Sequence, residues 1–417
     1  MSSTTATPQV SAPSSRRKGG GSVRNGLGVF GANKARPFHR WYPFVEGFSA
    51  DLVERALNEQ ATPGTVLDPF GGSGTTALAA AMLGRDSVFA EANPYMAWVA
   101  DVKINQSRQV AEDGTSAELR ALATELSGTL PPANENHPLL VADRRRGFFP
   151  PGIGEKAISV HALIDKALTG GAREVARLAL GSALVPSSNM VRRTDLRKRV
   201  PSDPAPHDLL AMVAQHLSDF ADDVDEHAAT IRGSVKYIAG DVRDQWIEEP
   251  EVSVVVTSPP YLNGTNYCRN TKLELLTLGF IESERDLTDL RVSMISAGIN
   301  NVSKRRLEAE IIDCVEPVAQ KLDEVAYDVR IPTLVRTYFS DMKGALSQVR
   351  KHAVKGARMY FDIGDSRYSG VHIPTHSILR QIAENEGWHF LDEEVLRKRR
   401  SYDGSELTQV LLQFEAV

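Results

Sequence analysis

Four consecutive residues carry the densest chemistry in this 417-residue chain. Ser258-Pro259-Pro260-Tyr261 follows the apolar run Val254-Val255-Val256 and Thr257. Two prolines end a strand and remove two N–H donors from the loop. What remains is a stiff backbone with carbonyl acceptors at Ser258 and Pro259, a hydroxyl on Ser258 and the aromatic face of Tyr261. This set suits a planar ring with an exocyclic NH2, which can donate to the acceptors while its face stacks. The bland alternative is a Pro-Pro turn after a buried strand. The position of the tetrapeptide, downstream of a glycine loop, favours the first reading.

That loop is Asp68-Pro69-Phe70-Gly71-Gly72-Ser73-Gly74-Thr75-Thr76. Glycines let a backbone approach a ligand closely, and a helix starting at Thr75 offers free N–H donors. The Gly-Lys-Ser/Thr ending of a phosphate loop is missing. Glu91 ends the next strand, where a ribose diol would be held, although it reads as well as a surface carboxylate. Asn93 and Pro94 close that strand, and Asp241 sits in a Gly-Asp pair that reads either as a ligand contact or as a turn.

These residues need a scaffold that brings them together. TVLDPFGGSGTTALAAAMLG reads as strand, glycine loop and helix, and SVFAEANP as a second strand. VKYIAGDVRD, VSVVVTSPPY, ARMYFDIGDS and WHFLDEEVLRK each read as a strand running into a loop, with helical stretches at 337–352 and 375–387. Alternating strands and helices imply a mainly parallel sheet covered on both faces. Helical periodicity dominates 155–169, 172–185 and 208–232. Residues 101–232 therefore read as a mostly helical insertion and a candidate target-recognition region. The stretch 262–335 reads as polar and irregular, a second insertion. The expected organisation is a disordered basic tail over 1–28, a first catalytic part over 29–100, the insertion, and a second catalytic part over 233–417.

Composition narrows the class. The net charge is −5, yet residues 1–40 hold seven Lys or Arg and no acid. With 42% hydrophobic and 24% charged residues this is an ordinary globular chain. Two cysteines, Cys268 and Cys314, without a CxxC pair argue against a disulfide scaffold and a cysteine zinc site. No metal site is read. Neither a signal peptide nor an apolar run of about 18 residues is visible, so the expected location is cytoplasmic.

Together, VLDPFGGSGTT and VTSPPY resemble the S-adenosylmethionine-dependent amino-DNA methyltransferases, which methylate cytosine N4 or adenine N6. HRWYPFVEGFSADLVERAL, FAEANP, AGDVRD, NYCRNTKLELLTLGF, ARMYFDIGDS and GWHFLDEEVLRKRRS follow that family's order. The resemblance covers most of 38–414. Glu-Ala-Asn replaces the more usual Asp-Ile-Asn at 91–93. The fold it implies is α/β, a Rossmann-like class I methyltransferase with helical insertions.

The resemblance also implies roles. Ser258, Pro259, Pro260 and Tyr261 would be catalytic. The Asp68–Thr76 loop would hold the methionine part of the cofactor, Glu91 its ribose and Asp241 its adenine amino group, with Asn93 beside them and Phe44 or Trp41 as a cover. Serine before Pro-Pro-Tyr resembles the cytosine-N4 signature; aspartate or asparagine is commoner for adenine. Adenine-N6 or RNA base methylation, or a silent DNA-recognition module, are the alternatives. A cytosine-C5 enzyme would need a Pro-Cys nucleophile, which the chain lacks. The implied partners are duplex DNA and a cognate restriction endonuclease or other defence subunit, with no membrane. Basic clusters at Arg144–Arg146, Arg192-Arg193 with Arg197–Arg199, Lys304–Arg306 and Arg397–Arg400 are candidates for DNA contact. SSNMVRRTDLRKR stands out because it mixes groups that read base edges with groups that hold phosphate. Asn189, Arg192, Arg193 and Arg197 are the residues chosen from it.

Overall fold

The structure is a computed structural model that describes residues 26–417 except 45–46, 61–62, 194, 264, 266, 300–301, 303–309, 401–403 and 405. Most of the expected basic tail and the Lys304–Arg306 cluster thus lie outside the described residues. In chain order the strands are β1 (Thr65–Asp68), β2 (Ser87–Ala90), the hairpin β3 (Met190–Arg192) and β4 (Leu196–Lys198), β5 (Val235–Ala239), β6 (Val252–Thr257), β7 (Ala353–Gly364), the small pair β8 (Ser366–Tyr368) and β9 (Val371–Ile373), β10 (Trp388–Arg400) and β11 (Glu406–Ala416).

Seven of these form one sheet in the order β10-β11-β7-β6-β1-β2-β5. The run from β5 to β7 is parallel, and β11 pairs antiparallel with both β7 and β10. This is an α/β fold with a mainly parallel sheet. The chain leaves β1 toward β2 and β5, then returns to β6 on the other side of β1. The order of strands therefore reverses between β1 and β6, and ligands of open α/β sheets bind outside the strand ends at such a point.

Local sequence explains the elements around it. All six residues of β6 are buried, as a central strand covered on both faces requires. Ser49 caps the helix Ala50–Glu59 by accepting from Asp51 N at 3.1 Å. The helix Thr75–Met82 is Thr, Ala, Leu and Met throughout and is almost wholly buried. Asn93 caps the helix Pro94–Asp101, with proline in its first turn.

The residues between β2 and β5 form helices that include Ile153–Ala167, Gly170–Leu184 and Leu209–His227. They do not enclose a core of their own. Leu163, Leu178 and Leu217 belong to the same buried cluster as Phe89 of β2 and Tyr95. Asp223, on the last of these helices, is buried and accepts from Phe38 N, Arg40 and Trp41 Nε1, which fastens the N-terminal segment to the insertion.

The 262–335 stretch departs from its polar, irregular reading. The helix Lys272–Thr277 is entirely buried, with Glu274 fully so, and the short helix Tyr267–Asn270 before it buries Cys268 and Asn270. Polar residues here mislead because they have partners inside the fold: Thr271 accepts from Asn93, and one Glu274 oxygen from Tyr42 and Arg192.

Candidate active site

A cavity of about 260 Å³ opens at the β1/β6 reversal. Pro69, Phe70 and Gly72 of the glycine loop, Glu91, Asn93 and Asp241 line it, together with Ser258, Pro259, Pro260 and Tyr261. Segments far apart in the chain meet there because both loops leave the carboxyl ends of adjacent strands.

The remaining loop residues sit behind the wall. Asp68 is buried and accepts from Thr257 Oγ1 at 2.7 Å and from Phe70 N at 3.1 Å, so it ties the end of β1 to the end of β6. Burial raises its carboxyl to about 6. Thr76 Oγ1 donates to the carbonyl of Val256 at 3.0 Å, a second tie across the same pair of strands. Gly71, Ser73, Gly74 and Thr75 do not line the cavity. Gly74 has φ +77°, and a Cβ there would lie 2.7 Å from Ala100, so the loop packs directly on the next helix. Gly72 has φ +50° and lies under Phe44, 3.2 Å from where a Cβ would be.

Glu91 closes the loop. Its two carboxylate oxygens accept from Gly72 N and Asn93 N, both at 2.8 Å. Desolvation outweighs these bonds and raises the group to about 7. Asn93 is buried, caps its helix through Tyr95 N and donates to Thr271. Asp241 is clasped by Arg243, which also reaches Asp341. Phe44 lines the cavity, whereas Trp41 does not: it stacks on Phe220 at 4.3 Å and donates to Asp223.

Behind Ser258 lies a network that the motifs did not reveal. Ser258 Oγ donates to Tyr261 Oη at 3.2 Å, and Gln409 Nε2 reaches the same oxygen at 3.1 Å. Gln409 also meets both oxygens of Asp362 at 2.9 and 3.0 Å. The buried Asp362 carboxyl draws on the hydroxyls of Tyr261 and Ser258 as well, and desolvation raises it to about 7. Asp362 lies near the end of β7, and Gln409 of β11 pairs with its last residue, Gly364, so neither is near the tetrapeptide in sequence. A lone acid in the apolar run Met359-Tyr360-Phe361-Asp362-Ile363 was the available signal. Tyr338 donates to the Pro260 carbonyl at 3.0 Å, while no donor among the described residues meets the Pro259 carbonyl. Arg397, opposite Gln409 across the β10–β11 pair, lines the same end of the cavity.

Lys103 is a second residue outside the motifs. It is fully buried in the π-helical turn Val102–Gln106, and its Nζ donates to the carbonyl of Ser73 at 2.6 Å. It braces the glycine loop from behind, and burial lowers its ammonium to about 7.

The DNA-contact residues divide. Arg192 is half-buried, paired with Glu274, lies over the Tyr42 ring at 5.2 Å and donates to the carbonyl of Asn270. The buried Glu274 carboxylate draws its guanidinium inward. Arg197 is forked onto Asp203 at 2.7 and 3.0 Å, Arg193 is exposed at 3.9 Å from the same acid, and Asn189 is half-buried with its amide on Gly147. Arg199 is bound to the carbonyls of Ser188, Pro186 and Pro204.

With the site in place, likenesses to known proteins can be weighed. The family described as DNA methylase (N6_N4_Mtase) matches residues 31–100, the segment that holds the glycine loop and Glu91. The type II methyltransferase M.BsoBI of Geobacillus stearothermophilus is 24% identical over 90% of this chain and 83% of its own. The type II methyltransferase M.AvaI of Nostoc sp. is 24% identical over 86% of this chain and 81% of its own. The chain is thus similar to DNA methylases over 31–100 and to type II methyltransferases over most of its length. A solved TehB-like SAM-dependent methyltransferase from Corynebacterium glutamicum aligns over 89% of this chain and 90% of its own at 9% identity, with a TM-score of 0.30. Among the described residues no helix is long and apolar enough to cross a membrane. Cys268, the nearest thiol to the cavity, is buried and raised to about 12, a poor nucleophile.

Proposed function

We propose that the chain methylates the N4 amine of cytosine in duplex DNA, with S-adenosylmethionine as donor, in a restriction–modification setting. One observation carries this reading: the Ser258–Tyr261 turn and the Gly72–Glu91 loop face one cavity at the strand reversal. The type II relatives support the setting. Glu91 suits a ribose diol and Asp241 an adenine amine, while Gly72 leaves room for the methionine part under Phe44. Bound there, S-adenosylmethionine supplies an electrophilic methyl on sulfur.

The target base must leave the duplex to reach the cavity. Its amine is a poor nucleophile because the lone pair is conjugated with the ring. Pro259 O and Ser258 Oγ accept from the two N–H groups and turn the lone pair toward the methyl, so catalysis is mainly positioning. The new N–C bond replaces the S–C bond, and the nitrogen sheds one proton. Ser258 Oγ takes it while passing its own hydrogen to Tyr261 Oη, and Tyr261 passes its hydrogen to Asp362. A carboxyl near 7 can hold that proton at neutral pH. Serine before Pro-Pro-Tyr, a neutral acceptor, is the reason for choosing cytosine.

Mass spectrometry of nucleosides from DNA incubated with the chain and S-adenosylmethionine tests this. N4-methylcytosine is expected. N6-methyladenine alone overturns the base assignment, and absence of any methylated nucleoside overturns the function.

A further inference from the structure

The chain is acidic overall, yet one cleft of about 540 Å³ is strongly basic. Arg146, Arg197, Lys198, Arg269, Lys272 and Arg291 line it. Only two carboxylates, Asp195 and Glu284, share its walls. Glu284 already serves two of the cations, Arg146 at 3.1 Å and Lys272 at 2.8 Å, and Asp195 lies 3.1 Å from Arg269. Arg291 donates to the hydroxyl of Thr288, and neither it nor Lys198 has a carboxylate in ion-pair range among the described residues. The cleft thus holds a surplus of positive charge that its own acids do not neutralise.

Its position gives the surplus a use. One wall is the β3–β4 hairpin of the helical insertion, and the other is the segment 268–291, so the two insertions build it jointly. A single layer of side chains separates it from the active-site cavity: Cys268 faces the cleft, Met294 faces the cavity, and their sulfurs are 3.1 Å apart.

Resting on the proposed function, we propose that this cleft seats the sugar–phosphate backbone of duplex DNA beside the extruded nucleotide. Guanidinium forks and a lysine match phosphate oxygens, and their release of counterions makes such contacts salt-dependent. The surface overlaps the basic clusters read from the sequence at Arg146, Arg197 and Lys198. It leaves out Arg192 and recruits Arg269, Lys272 and Arg291 from a different part of the chain.

The test uses the full chain with Lys198→Ala and Arg291→Ala, singly and together, and with Lys198→Glu. Binding to a 30-base-pair duplex is followed by fluorescence anisotropy across a salt series. Each lost phosphate contact should lower the slope of log affinity against log salt by about 0.9. The double variant should raise KM for DNA about tenfold or more near physiological salt, and Lys198→Glu should exceed Lys198→Ala. S-adenosylmethionine affinity and thermal unfolding serve as folding controls and should match the wild type. Folded variants that keep the wild-type slope and KM overturn the cleft assignment. A wild-type chain that neither binds nor methylates DNA overturns the proposed function instead. A wild-type preference for duplex RNA over DNA, with the slope still lost in the variants, rejects DNA as the occupant.

Discussion

The two ends of the cavity are built from different materials. At the β2 and β5 end, backbone does most of the work: Glu91 accepts two main-chain N–H groups, Asn93 caps a helix, and Gly72 lies bare under Phe44. At the β7 and β11 end, side chains distant in sequence meet: Ser258, Tyr261, Asp362 and Gln409 share one hydrogen-bond network. A backbone-built site tolerates change in side chains but not in glycine. A side-chain network fails when any one member is removed, because a buried polar group left without its partner costs about 1–3 kcal/mol.

The largest effect expected from breaking long-range side-chain pairs is at Arg192. Arg192→Ala leaves Glu274 buried without a counter-charge and should cost about 3–5 kcal/mol of stability, read by denaturant unfolding. A loss of DNA affinity at unchanged stability would restore Arg192 as a DNA contact.

Next come two variants that should separate the two ends. Ser258→Ala should lower kcat by about 10²–10³-fold and leave S-adenosylmethionine affinity unaltered. Gly72→Leu forces a side chain into a left-handed conformation against Phe44 and should lower that affinity by about 10²-fold or more, measured by calorimetry; left-handed backbone alone costs about 1–2 kcal/mol. If Ser258→Ala weakened cofactor binding instead, the division between the ends would not hold. Tyr261→Phe should be milder than Tyr261→Ala, since it removes the hydroxyl relay but keeps the ring.

The smallest effect is a pH dependence of stability. Burial raises Asp68 to about 6 and both Glu91 and Asp362 to about 7. The folded chain therefore holds these protons more tightly than the unfolded chain. Each contribution is fully present below the ordinary carboxylate range near 4 and is lost as pH rises through the folded value. The ligand-free protein should lose stability from these groups between about pH 4 and 7. Asp362→Asn removes one of the three, so its drop in melting temperature from pH 5 to pH 7.5 should be smaller than that of the wild type. An equal drop would place Asp362 in a more polar setting than the one seen.

The glycine loop, Ser258–Tyr261 and the alternating strands were legible because each is written in contiguous residues whose backbone demands are local: a positive φ at Gly72, a strand stopped by two prolines, a cap at Ser49. The helices over 153–167 and 170–184 were legible by periodicity for the same reason. What tertiary structure alone decided is the pairing of distant side chains. Nothing near Arg192 announces Glu274, so one arginine of a basic run read as a DNA contact packs partly inward. Polar residues at 267–277 resembled a loop until their buried partners were in place. Asp362 and Gln409 join Ser258 only because β7, β11 and β6 share a sheet. A buried charge takes its meaning from the group opposite it, and that group is chosen by the fold rather than by the neighbouring residues.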